Sequence, residues 1–148
     1  MVDQILVSFT EATRDVFKLM LDLDAKSENH SFSEGTSEKL RVAVEITGDV
    51  QGKIYYWFPR DAVIEIVKIM SGMEITEIDE FVTSAISEMA NIISGNAMNN
   101  LYEKHYVCDI LPPEISLNEG VSCREADGAQ LVTDIGVFNL DLVRNNTK

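Results

Sequence analysis

The feature that most constrains how this chain can fold is a long stretch, residues 76–104, in which only Gly95 opposes a helix. A helix of that length would extend roughly 40 Å, because each residue adds about 1.5 Å. Apolar side chains recur along it at steps of three and four, the helical period: Val82, Ala85, Ile86, Met89, Ile93 and Ala97. This spacing predicts an amphipathic helix that buries the apolar side, with Thr76 as its N-cap and Lys104 near its end.

Shorter patterns on both sides predict two more helices and four strands. Helical spacing of apolar residues marks residues 3–21 and 62–70, and Gly72 is expected to close the second of these helices. Strands are predicted where apolar residues alternate or where β-branched and aromatic residues are dense: 40–46, 53–58, 130–134 and 137–144. A hairpin turn is expected to join the first two. A polar loop is predicted after Asp24, and Pro112 and Pro113 are expected to end the regular structure before them.

The order of these elements is helix, strands, helix, long helix, strands. It predicts a single α+β domain over residues 1–148, with helices on one face of a largely antiparallel sheet. A helix followed by paired strands occurs twice, which suggests an internal duplication. The alternating strand over 137–143 is the predicted edge of the sheet.

The charge of the chain argues against two classes of partner. Twelve Lys and Arg against 25 Asp and Glu give a formal net charge of −13. Affinity for phosphates depends on clustered cations, so neither nucleic acid nor an anionic membrane is an expected partner. The N-terminus lacks a basic region, and no apolar run reaches the ~18 residues of a membrane span. Together with two cysteines that form no CxxC pair, Cys108 and Cys123, these features predict a cytoplasmic protein.

The side of the long helix opposite its apolar residues carries small and polar residues: Ser84, Glu88, Asn91 and Gly95, with Ser87 and Ser94 beside them. Solvated helix faces usually carry long charged side chains in i, i+4 pairs, whereas this face sets one carboxylate and one carboxamide among small residues. Small neighbours allow another protein surface to approach closely. A simpler interpretation is that Glu88 and Asn91 are ordinary exposed polar residues. A functional interpretation requires both side chains to be solvent-accessible.

The spacing of these residues resembles a known catalytic signature. Ser84-x-x-x-Glu88-x-x-Asn91 is followed, after 21 intervening residues, by Pro113. This pattern, with SEMANIISGNAMNNL around it and GDVQGKIYYWFPRDAVIEIVKIMSG before it, resembles the CheC/CheX/FliY family of chemotaxis phosphatases over residues 40–144. CheC-type members carry the motif on two helices. Here the first helix offers Glu11-Ala12-Thr13-Arg14, without the carboxamide, so the chain is most similar to the CheX branch.

The resemblance implies an enzyme that hydrolyses the aspartyl phosphate of a CheY-like response regulator, with one active site per chain. Asn91 would position the attacking water and Glu88 would dock on the regulator's active-site lysine, while the partner-facing helix surface would include Ser84, Ser87 and Gly95. No cofactor of its own is expected, since Mg²⁺ would lie in the partner response regulator. A homodimer is also implied. The alternative is a non-enzymatic CheX-like module that binds a response regulator or mediates dimerisation.

The sequence contains no comparable motif for a metal site or for another class of enzyme. His105 and Cys108 form an HxxC pair, but a zinc site needs three or four ligands and no second cluster lies nearby. The nucleophile elbow of serine hydrolases, the phosphate-binding loop of P-loop enzymes and the dinucleotide-binding glycine motif are all absent. No metal site is therefore expected in this chain.

Overall fold

The structure, a computed structural model, describes residues 4–28, 38–119 and 127–144. Within them lie three helices: α1 (Gln4–Leu21), α2 (Arg60–Ser71) and α3 (Glu80–Glu103). The strands of the same residues are β1 (Lys26–Glu28), β2 (Glu38–Gly48), β3 (Gly52–Pro59), β4 (Cys108–Ile110), β5 (Glu114–Glu119), β6 (Asp127–Thr133) and β7 (Gly136–Arg144). The helices and strands β2, β3, β6 and β7 lie where the apolar patterns predict them. Cys123 and most of the predicted polar loop after Asp24 lie outside the described residues.

The strands form one antiparallel sheet with the order β1-β6-β7-β3-β2, and both β4 and β5 pair with the remaining edge of β2. β2 and β3 form the predicted hairpin, in which Leu40 lies opposite Phe58 and Ile46 opposite Gly52. The predicted fold class, α+β with a largely antiparallel sheet, is confirmed.

The prediction that residues 137–143 form a sheet edge is wrong, because β7 lies between β3 and β6. Its alternating polar residues do not face open solvent: Asn139 is 6% exposed and Asp141 is 3% exposed. The carboxylate of Asp141 accepts a hydrogen bond of 3.1 Å from the indole N–H of Trp57 on β3. Alternating polar residues can therefore also occur on an inner strand, where their side chains are buried between the neighbouring strands.

The core lies between the helices and one face of the sheet. Every second residue of the hairpin β2–β3 is almost fully buried: Leu40, Val42, Val44, Ile46, Ile54, Tyr56 and Phe58. These side chains share one apolar cluster with Phe9 of α1, Val63 of α2 and Met89 of α3. The helices thus pack on one face of the sheet, as the sequence predicts.

The topology supports the internal duplication that the sequence only suggests. From the central pair β3·β7 outward, the order is β3-β2-β5 on one side and β7-β6-β1 on the other. Apart from α2 and β4, each half supplies a helix and three strands, and its outer strand pairs with the other half: β1 with β6 and β5 with β2. The buried residues Ile5, Phe9, Ala12 and Val16 of α1 repeat the spacing of Val82, Ile86, Met89 and Ile93 of α3.

Helix α3 begins three residues later than the sequence predicts. Its N-cap is Asp79, whose backbone is extended and whose carboxylate accepts a 3.1 Å hydrogen bond from the backbone N–H of Val82. The assignment of the N-cap to Thr76 is therefore wrong. A carboxylate at this position both satisfies a helix-end donor and complements the positive end of the helix dipole.

Replacement of Asp79 with alanine should lower the free energy of unfolding by about 1 kcal/mol, because the N-cap bond and the charge–dipole interaction are both lost. For a chain of this size the corresponding fall in Tm is about 2–4 °C, measured by thermal denaturation. Thr76→Ala is the matched control and should change stability by less than about 0.5 kcal/mol, since Thr76 is exposed and outside the helix. Equal losses from the two variants would contradict the assignment of the cap to Asp79.

Candidate active site

Helix α3 is held in place by its buried face. The residues along this face have no exposed surface: Val82, Ile86, Met89, Ile93 and Ala97. Near its C-terminal end, the side-chain amide of Asn100 donates to the carbonyl oxygen of Ser8 at 3.3 Å, and the Lys104 ammonium donates to the Ser8 hydroxyl at 3.0 Å. The end of α3 is thus tied to the beginning of α1, and a side chain on the opposite face projects from a packed helix rather than from a loop.

The opposite side of α3, here called the outer face, consists of exposed residues: Phe81, Ser84, Glu88, Asn91, Ile92, Gly95, Asn99 and Tyr102. It includes Ser84, Glu88, Asn91 and Gly95, which the sequence places opposite the apolar side of the helix. The requirement that Glu88 and Asn91 be accessible is therefore met. Ser87 lies half-buried at its margin. Ser94 is fully buried, so the expectation that it lies on the exposed side is wrong. The buried side of α3 is wider than its large apolar residues alone, because the small residues Ala90 and Ser94 also pack closely against the rest of the domain.

Glu88 and Asn91 stand one turn apart on the outer face, about 60° around the helix and roughly 4.5 Å along its axis. Among the described residues, neither side chain takes part in a hydrogen bond or an ion pair. Their polar atoms are therefore free to bind groups outside the chain. A carboxylate offers only acceptors, whereas a carboxamide offers one acceptor oxygen and two N–H donors. The pair can therefore bind a cation and a water molecule at the same time.

The electrostatics of the outer face differ from those of the rest of the chain. Glu88 is the only charged residue between Phe81 and Tyr102, although Asp, Glu, Lys and Arg make up 25% of the sequence. An anionic ligand that approached the helix would therefore meet one carboxylate rather than the many that a net charge of −13 implies. The same helix offers no cation between these residues, so charge neutralisation of such a ligand must come from elsewhere.

Helix α1 presents a partial copy of this arrangement. Glu11 and Arg14 occupy the positions that Glu88 and Asn91 occupy on α3, and both are exposed. Arg14 is not a carboxamide, and its Nε donates a 3.1 Å hydrogen bond to the carbonyl oxygen of Ala25. The structure therefore brings carboxylate and carboxamide together on α3 and not on α1.

The remaining candidates from the sequence add no second site. Pro113 lies half-buried immediately before β5. His105 is exposed and Cys108 is a half-buried free thiol. In the part of the chain that the structure describes, no three His, Cys, Asp or Glu side chains are grouped to hold a metal ion. No helix among those residues is long and apolar enough to cross a membrane.

The sequence profile of the family described as chemotaxis phosphatase CheX matches residues 40–135, which is more than half of the chain. The chain belongs to the CheX family. The matched segment runs from β2 through the whole of α3 to the end of β6, so it contains the outer face with Glu88 and Asn91. Membership of a family of phosphatases follows, as predicted from the resemblance of the long helix to the family's catalytic helix.

Three relatives extend this result. The CheY-P phosphatase CheX of Thermotoga maritima is 28% identical over 141 residues, covering 93% of this chain and 88% of that protein. The crystal structure of CheX from Vibrio vulnificus has a TM-score of 0.81 at 18% identity, covering 97% of this chain and 100% of that one. A CheX–CheY–BeF₃–Mg²⁺ complex from Borrelia burgdorferi has a TM-score of 0.73 at 21% identity, covering 99% of this chain and 100% of that one. These structural similarities show that the chain has the CheX fold.

One group of outer-face residues was missed by sequence reasoning. Phe81, Ile92 and Tyr102 are 47%, 37% and 70% exposed on the same side of α3 as Glu88. A helical wheel places all three within about 40° of Glu88, so the signal was present in their spacing. Only the small and polar residues of this side were considered as functional candidates, although single apolar residues on protein surfaces are common. For a member of the CheX family, they extend the exposed surface around the candidate catalytic pair.

Proposed function

We propose that this protein hydrolyses the aspartyl phosphate of a CheY-like response regulator, with Asn91 and Glu88 of α3 as the residues that act on the regulator. The observation that carries the proposal is the pair itself: a carboxylate and a carboxamide, both exposed and without partners among the described residues, one turn apart on a firmly packed helix. The family and the name of the Thermotoga relative support phosphatase chemistry of this kind.

The reaction needs little from this chain beyond orientation. Water attacks phosphorus, the bond from phosphorus to the aspartyl oxygen breaks, and aspartate and inorganic phosphate are formed. Mg²⁺ and a lysine of the regulator neutralise the phosphoryl oxygens, so the outer face requires no cation of its own. The Borrelia complex, in which CheX is bound to CheY with BeF₃ and Mg²⁺, supports the proposal that Mg²⁺ is supplied with the regulator. The chain itself is proposed to carry no cofactor.

Asn91 is proposed to hold the attacking water in line with the bond that breaks. Its side-chain oxygen accepts a hydrogen bond from the water, and its NH₂ group donates to a phosphoryl oxygen or a nearby acceptor. An amide is a very weak base, so the role is positioning rather than proton abstraction. Orientation of a nucleophile by a fixed group is a large catalytic effect, and the packed helix beneath Asn91 keeps that group in place.

Glu88 is proposed to pair with the active-site lysine of the regulator and so to set the register of α3 on its partner. A charge-assisted bond of this kind is short and directional. Because Glu88 is the only charge between Phe81 and Tyr102, no competing ion pair can form on that stretch of the helix. Ser84, Ser87 and Gly95 are proposed to face the partner as small residues that leave it room.

The direct test is to incubate the protein with phosphorylated candidate regulators and Mg²⁺ and to follow phosphate release. We expect release at least tenfold faster than the regulator's own dephosphorylation, and we expect EDTA to abolish the stimulation because the regulator loses its metal. A regulator that binds the chain without any acceleration would favour the non-enzymatic binding module. Parallel assays with several regulators identify the substrate, which the outer face alone does not name.

A homodimer remains part of the proposal. Among the described residues, the outer edges of β1 and β5 pair with no further strand, and exposed edges of this kind favour pairing between chains. β7, the edge expected from the sequence, cannot serve because it is internal. Light scattering on the purified protein distinguishes monomer from dimer. The phosphatase assignment also implies a cytoplasmic location, where response regulators act.

A further inference from the structure

Gly95 makes no close packing contact with other elements of the described structure. It lies in the middle of α3 and is exposed. Beyond its chain neighbours and the backbone of its own helix, a Cβ built on it would meet no heavy atom of the described residues within 4 Å. Its backbone is helical, unlike Gly48, Gly72 and Gly136, whose positive φ angles require glycine. Glycine is also the least favourable residue in a helix interior after proline. The chain therefore accepts a less stable helix at a position where its own fold would accommodate alanine.

The surroundings of Gly95 are those of a contact surface. Asn91 lies one turn before it, and Ile92 and Tyr102, 37% and 70% exposed, lie on either side of it along the outer face. Exposed aromatic and aliphatic groups around a gap are typical of the central part of protein–protein interfaces, where charged residues are depleted. The charge depletion of α3 between Phe81 and Tyr102 agrees with this composition.

We propose that the regulator contacts the C-terminal half of the outer face, from Asn91 to Tyr102, and approaches the helix most closely at Gly95. The missing side chain lets the surface beside the aspartyl phosphate reach the helix backbone, while Ile92 and Tyr102 contact apolar groups of the partner. Gly95 is thus a positioning residue, since the depth of approach sets the distance from Asn91 to the phosphoryl group. This inference rests on the proposed function.

Charge favours a regulator over a second copy of this chain as the occupant of the surface. A second copy would bring a net charge of −13 against Glu88, and like charges repel. A regulator domain brings Mg²⁺ and a lysine to the same place, so its local charge is complementary to the single carboxylate. The phosphoryl anion would also meet no further carboxylate on this stretch of α3.

The test is Gly95→Ala, which adds one methyl group to the gap. We expect Tm to rise by about 2–4 °C, because alanine is the better helix former. We expect kcat/KM to fall at least tenfold and the affinity for a Mg²⁺- and beryllofluoride-loaded regulator to fall with it. Asp15→Ala is the matched control: it raises helix propensity at an exposed position of α1, and it should raise Tm while leaving kcat/KM within twofold of wild type.

A second pair of variants tests the apolar contact separately. Tyr102→Ser should raise KM severalfold with little change in kcat, since Tyr102 lies about three turns beyond Asn91 and cannot reach the phosphoryl group. Leu19→Ser is its control, because Leu19 is 82% exposed on α1 and away from α3's outer face. Equal effects of these two substitutions on KM would overturn the docking surface.

The outcomes separate this inference from the function on which it rests. If wild type accelerates dephosphorylation and Gly95→Ala matches it in kcat/KM and affinity, the inference is wrong and the function stands. If Asp15→Ala loses activity as Gly95→Ala does, the loss follows helix stability and the inference is again wrong. If wild type adds nothing to the regulator's own rate, the proposed function fails, and the affinities for the beryllofluoride-loaded regulator still decide the docking surface.

Discussion

Replacement of Asn91 with alanine is expected to lower kcat for dephosphorylation of the regulator by about 10²–10³-fold. The carboxamide supplies orientation, and the water that remains in its absence must find the in-line position unaided. Asn91 is exposed and unpaired among the described residues, so the substitution should change the free energy of unfolding by less than about 0.5 kcal/mol. Single-turnover phosphate release from a phosphorylated regulator measures the effect on the chemical step directly.

Affinity and stability serve as controls for that experiment. Binding of the Mg²⁺- and beryllofluoride-loaded regulator should change less than about threefold, because Glu88 and the surrounding surface are intact. Thermal denaturation run alongside excludes unfolding as the cause of lost activity. An Asn91→Ala protein that releases phosphate as fast as wild type would show that water positioning by this residue is wrong.

The helices and the central strands follow from local patterns in the sequence. α1 and α3 bury residues at helical spacing, and the β2–β3 hairpin combines two strongly patterned strands with a short turn. In these segments, local propensity and tertiary burial require the same conformation. Such agreement is why both the fold class and the face on which the helices pack could be predicted.

Strands β1 and β5 could not be predicted because their pairing partners are distant in sequence. β1 has only three residues, and it pairs with β6 about a hundred residues later. β5 begins directly after Pro112 and Pro113, which were interpreted as the end of regular structure. Its residue Ile115 lies opposite Val42 of β2, and this cross-strand contact gives the segment its conformation. The context-dependent nature of strand formation explains both omissions.

The N-cap error has a different origin. Thr76 and Asp79 are both good capping residues, and either can precede the apolar pattern that begins at Val82. The residues between them include Ile78, which packs against the core while the chain is still non-helical. Tertiary packing of Ile78 is compatible with a later start, and Asp79 then reaches the backbone N–H of Val82. Helix ends are often shifted in this way because several positions offer similar caps.

The exposed catalytic candidates were predictable, but the extent of the surface around them was not. A helical wheel gives the direction of Glu88 and Asn91, and both lie where it places them. It does not show how far around the helix the buried side extends, so Ser94 was assigned to the exposed side. Nor does it show that a Cβ at Gly95 would meet no other element of the described structure, since that depends on the packing of distant segments.

Glu88 should affect both docking and turnover, which distinguishes it from Asn91. Glu88→Gln preserves the size of the side chain and removes its charge, so the charge-assisted contact with the regulator's lysine is lost. We expect the affinity for the beryllofluoride-loaded regulator to fall about 10–100-fold, the range for loss of one such interaction, and kcat to fall as well. Binding measured by titration calorimetry or fluorescence anisotropy reports the first effect, and phosphate release at saturating regulator reports the second.

Salt dependence identifies the cause of that loss. Wild-type affinity should weaken as ionic strength rises, because the contact between Glu88 and the lysine is screened, and the dependence should be smaller in Glu88→Gln. Glu11→Gln is the matched control: it removes the same charge from the equivalent position of α1, where Arg14 replaces the carboxamide, and it should change affinity and kcat less than twofold. If both glutamine variants weaken binding equally, the effect reflects the net charge of the chain, and the specific pairing of Glu88 with the regulator's lysine is wrong.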